Sequence, residues 1–150
     1  MKRALSSAAL ILTFIGLMPG VSAAAQNTIG IVRNLTGEAT ITRGDQVFPA
    51  AVGTRLVEGD TLMTGSNGSM GVILRDNSTL SIGPGSSLAV RSFRFAPAKG
   101  QLGLLVRLSK GTMAYLSGLI GKLAPESARF ETPVASIGIR GTRFAVKLDD

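Results

Sequence analysis

Two aspartates, Asp60 and Asp76, are the residues of this sequence whose type could carry chemistry. A pair of carboxylates can act as general acid and base or hold a metal ion. Both stand in turn sequences, Glu-Gly-Asp-Thr at 58–61 and Arg-Asp-Asn-Ser at 75–78, where an aspartate accepts hydrogen bonds from its own backbone. The stretch that begins at Asp76 is also too short for a calcium-binding loop. The sequence therefore favours a structural role for both carboxylates.

The composition excludes several familiar kinds of site. The 150-residue chain has no histidine and no cysteine, which rules out the usual Cys/His zinc sites, disulfide scaffolds and Ser-His-Asp or Cys-His catalysis. Aromatic residues are few, with six Phe, one Tyr and no Trp, and a stacking platform for single-stranded nucleic acid needs more. We expect no catalytic activity, no cofactor, no metal and no nucleic-acid partner.

An arginine near the C-terminus raises a different question. Arg140 lies in ASIGIRGTRF at 135–144, an apolar stretch punctuated by glycines. Its guanidinium offers five donors in a fixed fork. We hypothesise that Arg140 donates to backbone carbonyls or to Asp60 or Asp76, and so ties the last strand to the earlier sheet. The alternatives are a solvated strand arginine and an arginine that contacts a partner directly.

The first 25 residues are predicted to be a cleavable signal peptide. Lys2 and Arg3 precede an apolar run of about eleven residues, shorter than the ~20 that span a bilayer, and small residues follow at a cleavage site. Without these two residues the chain keeps 14 basic and 9 acidic residues, a net charge of +5. We expect a periplasmic protein with no stable membrane anchor after cleavage. An acidic partner, such as a membrane surface or a cell-wall polymer, is compatible with this charge.

The rest of the chain is rich in strand signals. Apolar residues alternate with others in SMGVIL, TLSI, SLAV and QLGLLVRL, a period of two that is typical of half-buried strands. Turn sequences such as Ser66-Asn67-Gly68 and Gly83-Pro84-Gly85 lie between the runs. This pattern predicts one all-β domain of short strands over residues 27–147, arranged as a meander, a sandwich or a short β-solenoid. Residues 148–150 would form a ragged end. The segment 116–124 could form a helical turn or continue the sheet.

The order of these motifs resembles that of the FecR domain family of bacterial exported and periplasmic proteins. The resemblance rests on GEATITRG at 37–44, on the Asn67–Ser69 turn, and on the closing motif that begins at Gly138. The family-motif positions that we single out, for a structural or a partner-contact role, are Gly59, Asp60, Thr64, Asp76, Thr132, Pro133, Gly138, Arg140, Gly141, Thr142 and Phe144.

The resemblance implies an all-β extracytoplasmic domain that works through protein contacts. The best-known members of the family are transmembrane regulators that couple an outer-membrane receptor to a cytoplasmic sigma factor in metal uptake. This chain has a cleavable-looking leader in place of their cytoplasmic segment and stops just after the closing motif. We therefore expect a stand-alone exported domain, or the N-terminal portion of a longer protein.

These observations lead to two hypotheses about function. The first is a non-catalytic domain for protein interaction or signal sensing in the periplasm, with an envelope receptor or a membrane signalling protein as partner. The second is a module that binds a cell-wall polymer or a small ligand. An enzyme is the least favoured class, because the residues for the common mechanisms are missing.

Overall fold

The computed structural model of the protein describes residues 27–139 and 142–149. These residues form twelve strands: β1 (Thr28–Thr36), β2 (Ala39–Arg43), β3 (Gln46–Pro49), β4 (Arg55–Val57), β5 (Thr61–Thr64), β6 (Ser69–Leu74), β7 (Thr79–Ile82), β8 (Ser87–Ala96), β9 (Gln101–Leu116), β10 (Ala128–Glu131), β11 (Ser136–Gly138) and β12 (Arg143–Leu148). A single 3-10 turn (Pro97–Lys99) connects β8 and β9. A five-residue helix, α1 (Leu119–Leu123), and a second 3-10 turn (Pro125–Ser127) lie between β9 and β10. The prediction of an all-β domain is confirmed. The predicted signal peptide lies outside the described residues.

The strands form where apolar residues recur with a period of two. In β6 the side chains of Met70, Val72 and Leu74 are all buried, as the alternation predicts. The same holds for Leu80 and Ile82 in β7. Because successive side chains of a strand point to opposite faces, each of these runs gives the sheet one apolar face. The apolar faces meet in a single core cluster.

The strands build one curled sheet whose two halves share β9. One half, called here the β1 half, runs in the order β4-β1-β6-β7 and reaches the C-terminal part of β9, where β12 also pairs. The other, called here the β2 half, runs β3-β2-β5-β8 and reaches the N-terminal part of β9, where β10 and β11 are added. All strand pairs are antiparallel except β9 with β10. Consecutive strands such as β5 and β6 therefore lie in different halves.

The strand β9 passes from one half to the other at Gly111. This residue has a φ of +86°, a conformation that costs a side-chain-bearing residue energy. A Cβ on Gly111 would also lie 2.6 Å from the Cα of Ser86. Both constraints require glycine at the point where β9 leaves the β8 pairing and enters the β7 and β12 pairings.

The segment 116–124, which the sequence left open between helix and sheet, divides between the two. The strand β9 continues through Leu116, and α1 follows after two residues. Within the described residues no helix is long and apolar enough to cross a membrane.

Candidate functional site

Asp60, one of the predicted site residues, forms an ion pair with Arg43 in which the carboxylate is buried and the guanidinium is partly exposed. Its side chain is 1% exposed, and it lies in the turn between β4 and β5. Arg43 donates from Nε to Oδ1 at 2.9 Å and from Nη2 to Oδ2 at 2.7 Å. The backbone N–H of Val57 donates to Oδ2 at 2.9 Å. Both carboxylate oxygens are therefore engaged by hydrogen bonds inside the fold.

Arg43 in turn connects three strands. Its Nη2 also donates to the carbonyl of Arg55 in β4 at 2.9 Å, and its guanidinium carbon lies 5.3 Å from the ring centroid of Phe48 in β3. The hydrogen bond to Asp60 raises the pKa of the Arg43 guanidinium above its ordinary value. The sequence Arg43-Gly44-Asp45 forms the turn between β2 and β3, with Gly44 at a φ of +58°. The carboxylate that Arg43 pairs with is nevertheless that of Asp60.

Gly59 and Thr64 join the neighbouring turns to the sheet. Gly59 has a φ of +91°, and its N–H donates to the carbonyl of Val90 in β8 at 2.8 Å. The hydroxyl of Thr64 donates to the carbonyl of Gly83 at 2.7 Å and accepts from the N–H of Ser86 at 2.9 Å. Thr64 thereby fastens the turn between β7 and β8 to the end of β5. Gly59 and Thr64 therefore hold the backbone of two turns against the sheet.

Asp76 forms a second buried network, at the start of α1. The residue is 0% exposed. Its Oδ2 accepts from the hydroxyl of Ser78 at 2.6 Å and from the N–H of Ile120 at 3.1 Å, and its Oδ1 accepts from the N–H of Ser78 at 3.0 Å. Its own carbonyl accepts from the N–H of Leu119 at 2.8 Å. A carboxylate here satisfies amide groups at the helix start that would otherwise lack partners.

Ser78 extends this network to Tyr115 and Gly118. The Ser78 hydroxyl lies 3.1 Å from the Tyr115 hydroxyl and accepts from the N–H of Gly118 at 3.2 Å. Burial raises the pKa of the Tyr115 phenol above its ordinary value, and hydrogen bonds with Ser78 and Ser117 partly oppose that shift. We call Asp76, Ser78, Tyr115 and Gly118 the Asp76 network. The network and the Arg43–Asp60 pair share no residue, so the structure does not unite the two aspartates in one site.

The closing motif packs against the Asp76 network. The carbonyl of Thr142 accepts from the N–H of Ser117 at 2.7 Å. In β12 the ring centroid of Phe144 lies 5.6 Å from that of Tyr115 and 4.7 Å from that of Phe130. Gly138 ends β11. Arg140 and Gly141 lie outside the described residues, so the hypothesis of an Arg140 clamp stays a prediction. Asp60 and Asp76, the possible partners of Arg140, accept hydrogen bonds from Arg43 and from Ser78 and Ile120, respectively.

Thr132 and Pro133 form the turn between β10 and β11. The hydroxyl of Thr132 accepts from the N–H of Ala135 at 3.0 Å, and its backbone N–H donates to the carbonyl of Ala135 at 2.8 Å. The turn returns the chain so that β11 pairs antiparallel with β10. Thr132 therefore contributes hydrogen bonds within its own turn.

The surface offers shallow depressions. One of about 430 Å³ lies between the β7–β8 turn and β12, and Lys110, Lys147 and Asp149 are among its lining residues. Within the described parts of the chain, no three His, Cys, Asp or Glu side chains lie close enough to hold a metal ion together.

Comparison with known families gives one match. A model of the FecR protein family matches residues 60–150, more than half of the chain, and this range begins at Asp60 and includes the Asp76 network and the closing motif. The segment before Asp60, which we had included in the resemblance, is outside the match. Searches of curated proteins and of solved structures found no match. The chain belongs to the FecR protein family.

Proposed function

We propose that this chain is an exported, non-catalytic FecR-family domain that binds a protein partner in the bacterial periplasm. The partner would be an envelope receptor or a membrane signalling protein. Membership in the FecR family indicates a signalling-related domain, and such a domain acts by presenting a surface to another protein.

The observation that carries this proposal is that the polar side chains of the motif form hydrogen bonds inside the fold. The side chains of Asp60, Thr64 and Asp76 are buried, and each has its hydrogen-bond partners within the chain. We propose that these residues preserve the shape of the domain and that the exposed surface contacts the partner. An acid–base role for the aspartates has no support, since the two belong to separate networks.

Crosslinking in the periplasm followed by mass spectrometry tests the proposal. We expect one dominant protein to be captured by the chain and to be absent from a control strain that exports an unrelated β domain. Capture of no protein would contradict the proposal.

A module that binds a cell-wall polymer or a small ligand is the second candidate function. The depression that includes Lys110 and Lys147 favours it, because ammonium groups attract acidic polymers. Pull-down on peptidoglycan distinguishes the candidates. Retention that is lost on Lys110→Gln and Lys147→Gln substitution would support the second candidate over the first.

Export itself has a direct test. N-terminal sequencing of the chain recovered from the periplasm should begin between Ala24 and Asn27, because small residues precede this point as signal peptidase requires. Retention of Met1 in a membrane fraction would contradict export with cleavage.

A further inference from the structure

Four arginines are gathered on the outer face of the β2 half, although they are scattered in the sequence. Arg91 and Arg94 lie in β8, Arg107 in β9 and Arg129 in β10, and all four are exposed. We call this set the arginine face. Adjacent strands are about 4.8 Å apart, so the face is roughly 10 by 15 Å across.

A β-bulge places two of these arginines on the same face. Residues three apart in a regular strand point to opposite sides, which would separate Arg91 from Arg94. The pairing of β8 with β9 is interrupted between Val90 and Ser92, so Arg91 is the extra residue of a bulge. Val90 and Phe93 are buried while Arg91 and Arg94 are both exposed. The bulge therefore turns both guanidinium groups outward.

Strand register brings the other two together. Arg129 lies opposite Leu105, and Arg107 lies two residues further along β9 on the same face. Diagonal neighbours of this kind are about 7–8 Å apart. Leu105, half-buried, lies beside Arg129 on this face.

The face carries an excess of positive charge. Two acidic residues border it. Glu131 lies opposite Arg107, and the Glu58 carboxylate accepts from the N–H of Phe93 at 3.0 Å. The ion pairs among the described residues are Arg43–Asp60 and Lys147–Asp149. The arginines of the face thus form none with residues 27–139 and 142–149, and the charge is directed to the solvent.

We propose that the arginine face is the docking surface for an acidic protein partner, one that presents clustered Asp and Glu carboxylates. This inference rests on the proposed function and names the chemistry of the partner. Arginine pairs with carboxylates through two parallel hydrogen bonds, and four arginines spread over a sheet face of roughly 10 by 15 Å match a cluster of carboxylates on another protein.

Two other occupants fit the face less well. A membrane-binding face adds exposed apolar side chains that enter the headgroup region, whereas the four side chains that define this face are arginines. The most exposed large apolar side chains, Val134, Val47, Val52 and Leu123, belong to the β10–β11 turn, β3, the β3–β4 loop and α1. A small anion needs a concave site, and the arginines of this face are exposed on a sheet surface.

The test compares two variants of equal charge. The face variant carries Arg→Gln at positions 91, 94, 107 and 129. The control variant carries Gln at Arg33, Arg75, Lys122 and Arg143, which are also exposed but lie elsewhere. Both should keep the circular dichroism spectrum and urea midpoint of the wild type. If the face variant does not fold, the double substitution Arg94→Gln/Arg129→Gln is used with Arg33→Gln/Arg75→Gln as its control.

Binding is measured on immobilised poly-L-glutamate and on phosphatidylglycerol vesicles. We expect the processed chain to bind poly-L-glutamate, the face variant to bind about tenfold or more weakly, and the control variant to stay within about twofold of wild type. The affinity should fall as NaCl rises from about 0.05 M to about 0.5 M. No binding to poly-L-glutamate, equal losses in both variants, or a preference for the vesicles that the face variant abolishes would each overturn the proposal.

Periplasmic crosslinking separates this inference from the proposed function. Loss of the captured protein in the face variant alone, together with weaker poly-L-glutamate binding, supports both. Capture of the same protein by wild type and face variant leaves the proposed function in place and overturns the arginine face. Capture of no protein by the wild type overturns both.

Discussion

At the scale of single residues, the Arg43–Asp60 pair is the contact whose loss should cost most, because it would leave a buried carboxylate without its charged partner. Asp60 is 1% exposed, and two of the three hydrogen bonds to its carboxylate come from Arg43. Arg43→Ala should lower the free energy of unfolding by about 2–4 kcal/mol, because the buried carboxylate keeps only the N–H of Val57. Arg43→Lys should recover part of this loss, because an ammonium group cannot form the two-pronged contact. Urea unfolding measures both.

An exposed arginine provides the matched control for this prediction. Arg33 in β1 is exposed, so Arg33→Ala should change the free energy of unfolding by less than about 0.5 kcal/mol. Equal effects of the substitutions at Arg33 and Arg43 would show that the pair contributes no more than a surface charge.

Tyr115 should ionise at a higher pH in the folded protein than in the unfolded chain. Burial raises its pKa, and an unperturbed tyrosine has a pKa of about 10. Tyr115 is the single tyrosine of the chain and there is no tryptophan, so tyrosinate absorbance reports on this residue alone. A titration of the native protein should therefore have a higher midpoint than the same titration in urea.

The raised pKa also predicts how stability changes with pH. A group whose pKa is higher in the folded state stabilises it fully below about pH 10, and that contribution is lost as the pH rises through the folded-state pKa. Tyr115→Phe should lack this alkaline loss and should be less stable near neutral pH, since Ser78 loses a partner. Coincident native and unfolded titrations would contradict the prediction.

Sequence reasoning placed the two aspartates in turns but did not identify their partners. The bond from Ser78 to Asp76 spans two residues, which local turn chemistry predicts. Arg43 is 17 residues from Asp60, and Ile120 is 44 residues from Asp76. Such pairings depend on strand register, which no local pattern specifies. The single tyrosine, with a hydroxyl in an apolar run, was the signal that could have pointed to the Asp76 network.

At the scale of elements, strands were predictable and their neighbours were not. The period of two that marks β6, β7 and β9 is a local property of the sequence. The pairing of β9 with four other strands depends on contacts between distant parts of the chain. The helix α1 was ambiguous for another reason. Five residues are too few to show a helical period, and such a short helix needs outside support, which Asp76 provides.

Gly118 is the residue that allows α1 to lie against the Asp76 turn. A Cβ at this position would lie 2.6 Å from the backbone carbon of Asn77 and would also meet the backbone of Asp76 and Ser78. Gly118→Ala should lower the free energy of unfolding by about 1–3 kcal/mol, because backbone atoms must shift. The urea midpoint measures the loss.

Gly103 offers the same substitution without the steric conflict. The nearest atom to a Cβ there is the Cβ of Arg94 at 3.9 Å, and alanine is preferred to glycine in a strand by roughly 0.5–1 kcal/mol. Gly103→Ala should therefore be neutral or slightly stabilising. A loss at Gly118 no larger than that at Gly103 would mean that α1 is not held closely against the turn.

At the scale of the whole molecule, charge and connectivity emerge only from the fold. The basic residues are spread along the sequence with no run of like charge. Register and one bulge collect four arginines on one face. In the same way, the chain alternates between the two halves, and β9 belongs to both. Neither property is visible in a window of a few residues.

Because β9 is shared, the two halves should unfold as one unit. Ile41 in β2 and Ile82 in β7 are both buried in the single core, and Ile→Val at either position should cost about 0.5–1.5 kcal/mol. Tyr115 fluorescence reports on the C-terminal part of β9, where the strand pairs with β7 and β12, and circular dichroism reports on all strands. In a cooperative molecule, each substitution shifts both signals to the same lower urea midpoint. If Ile41→Val shifted the circular dichroism transition and left the Tyr115 transition in place, the halves would be separate folding units, and β9 would not couple them.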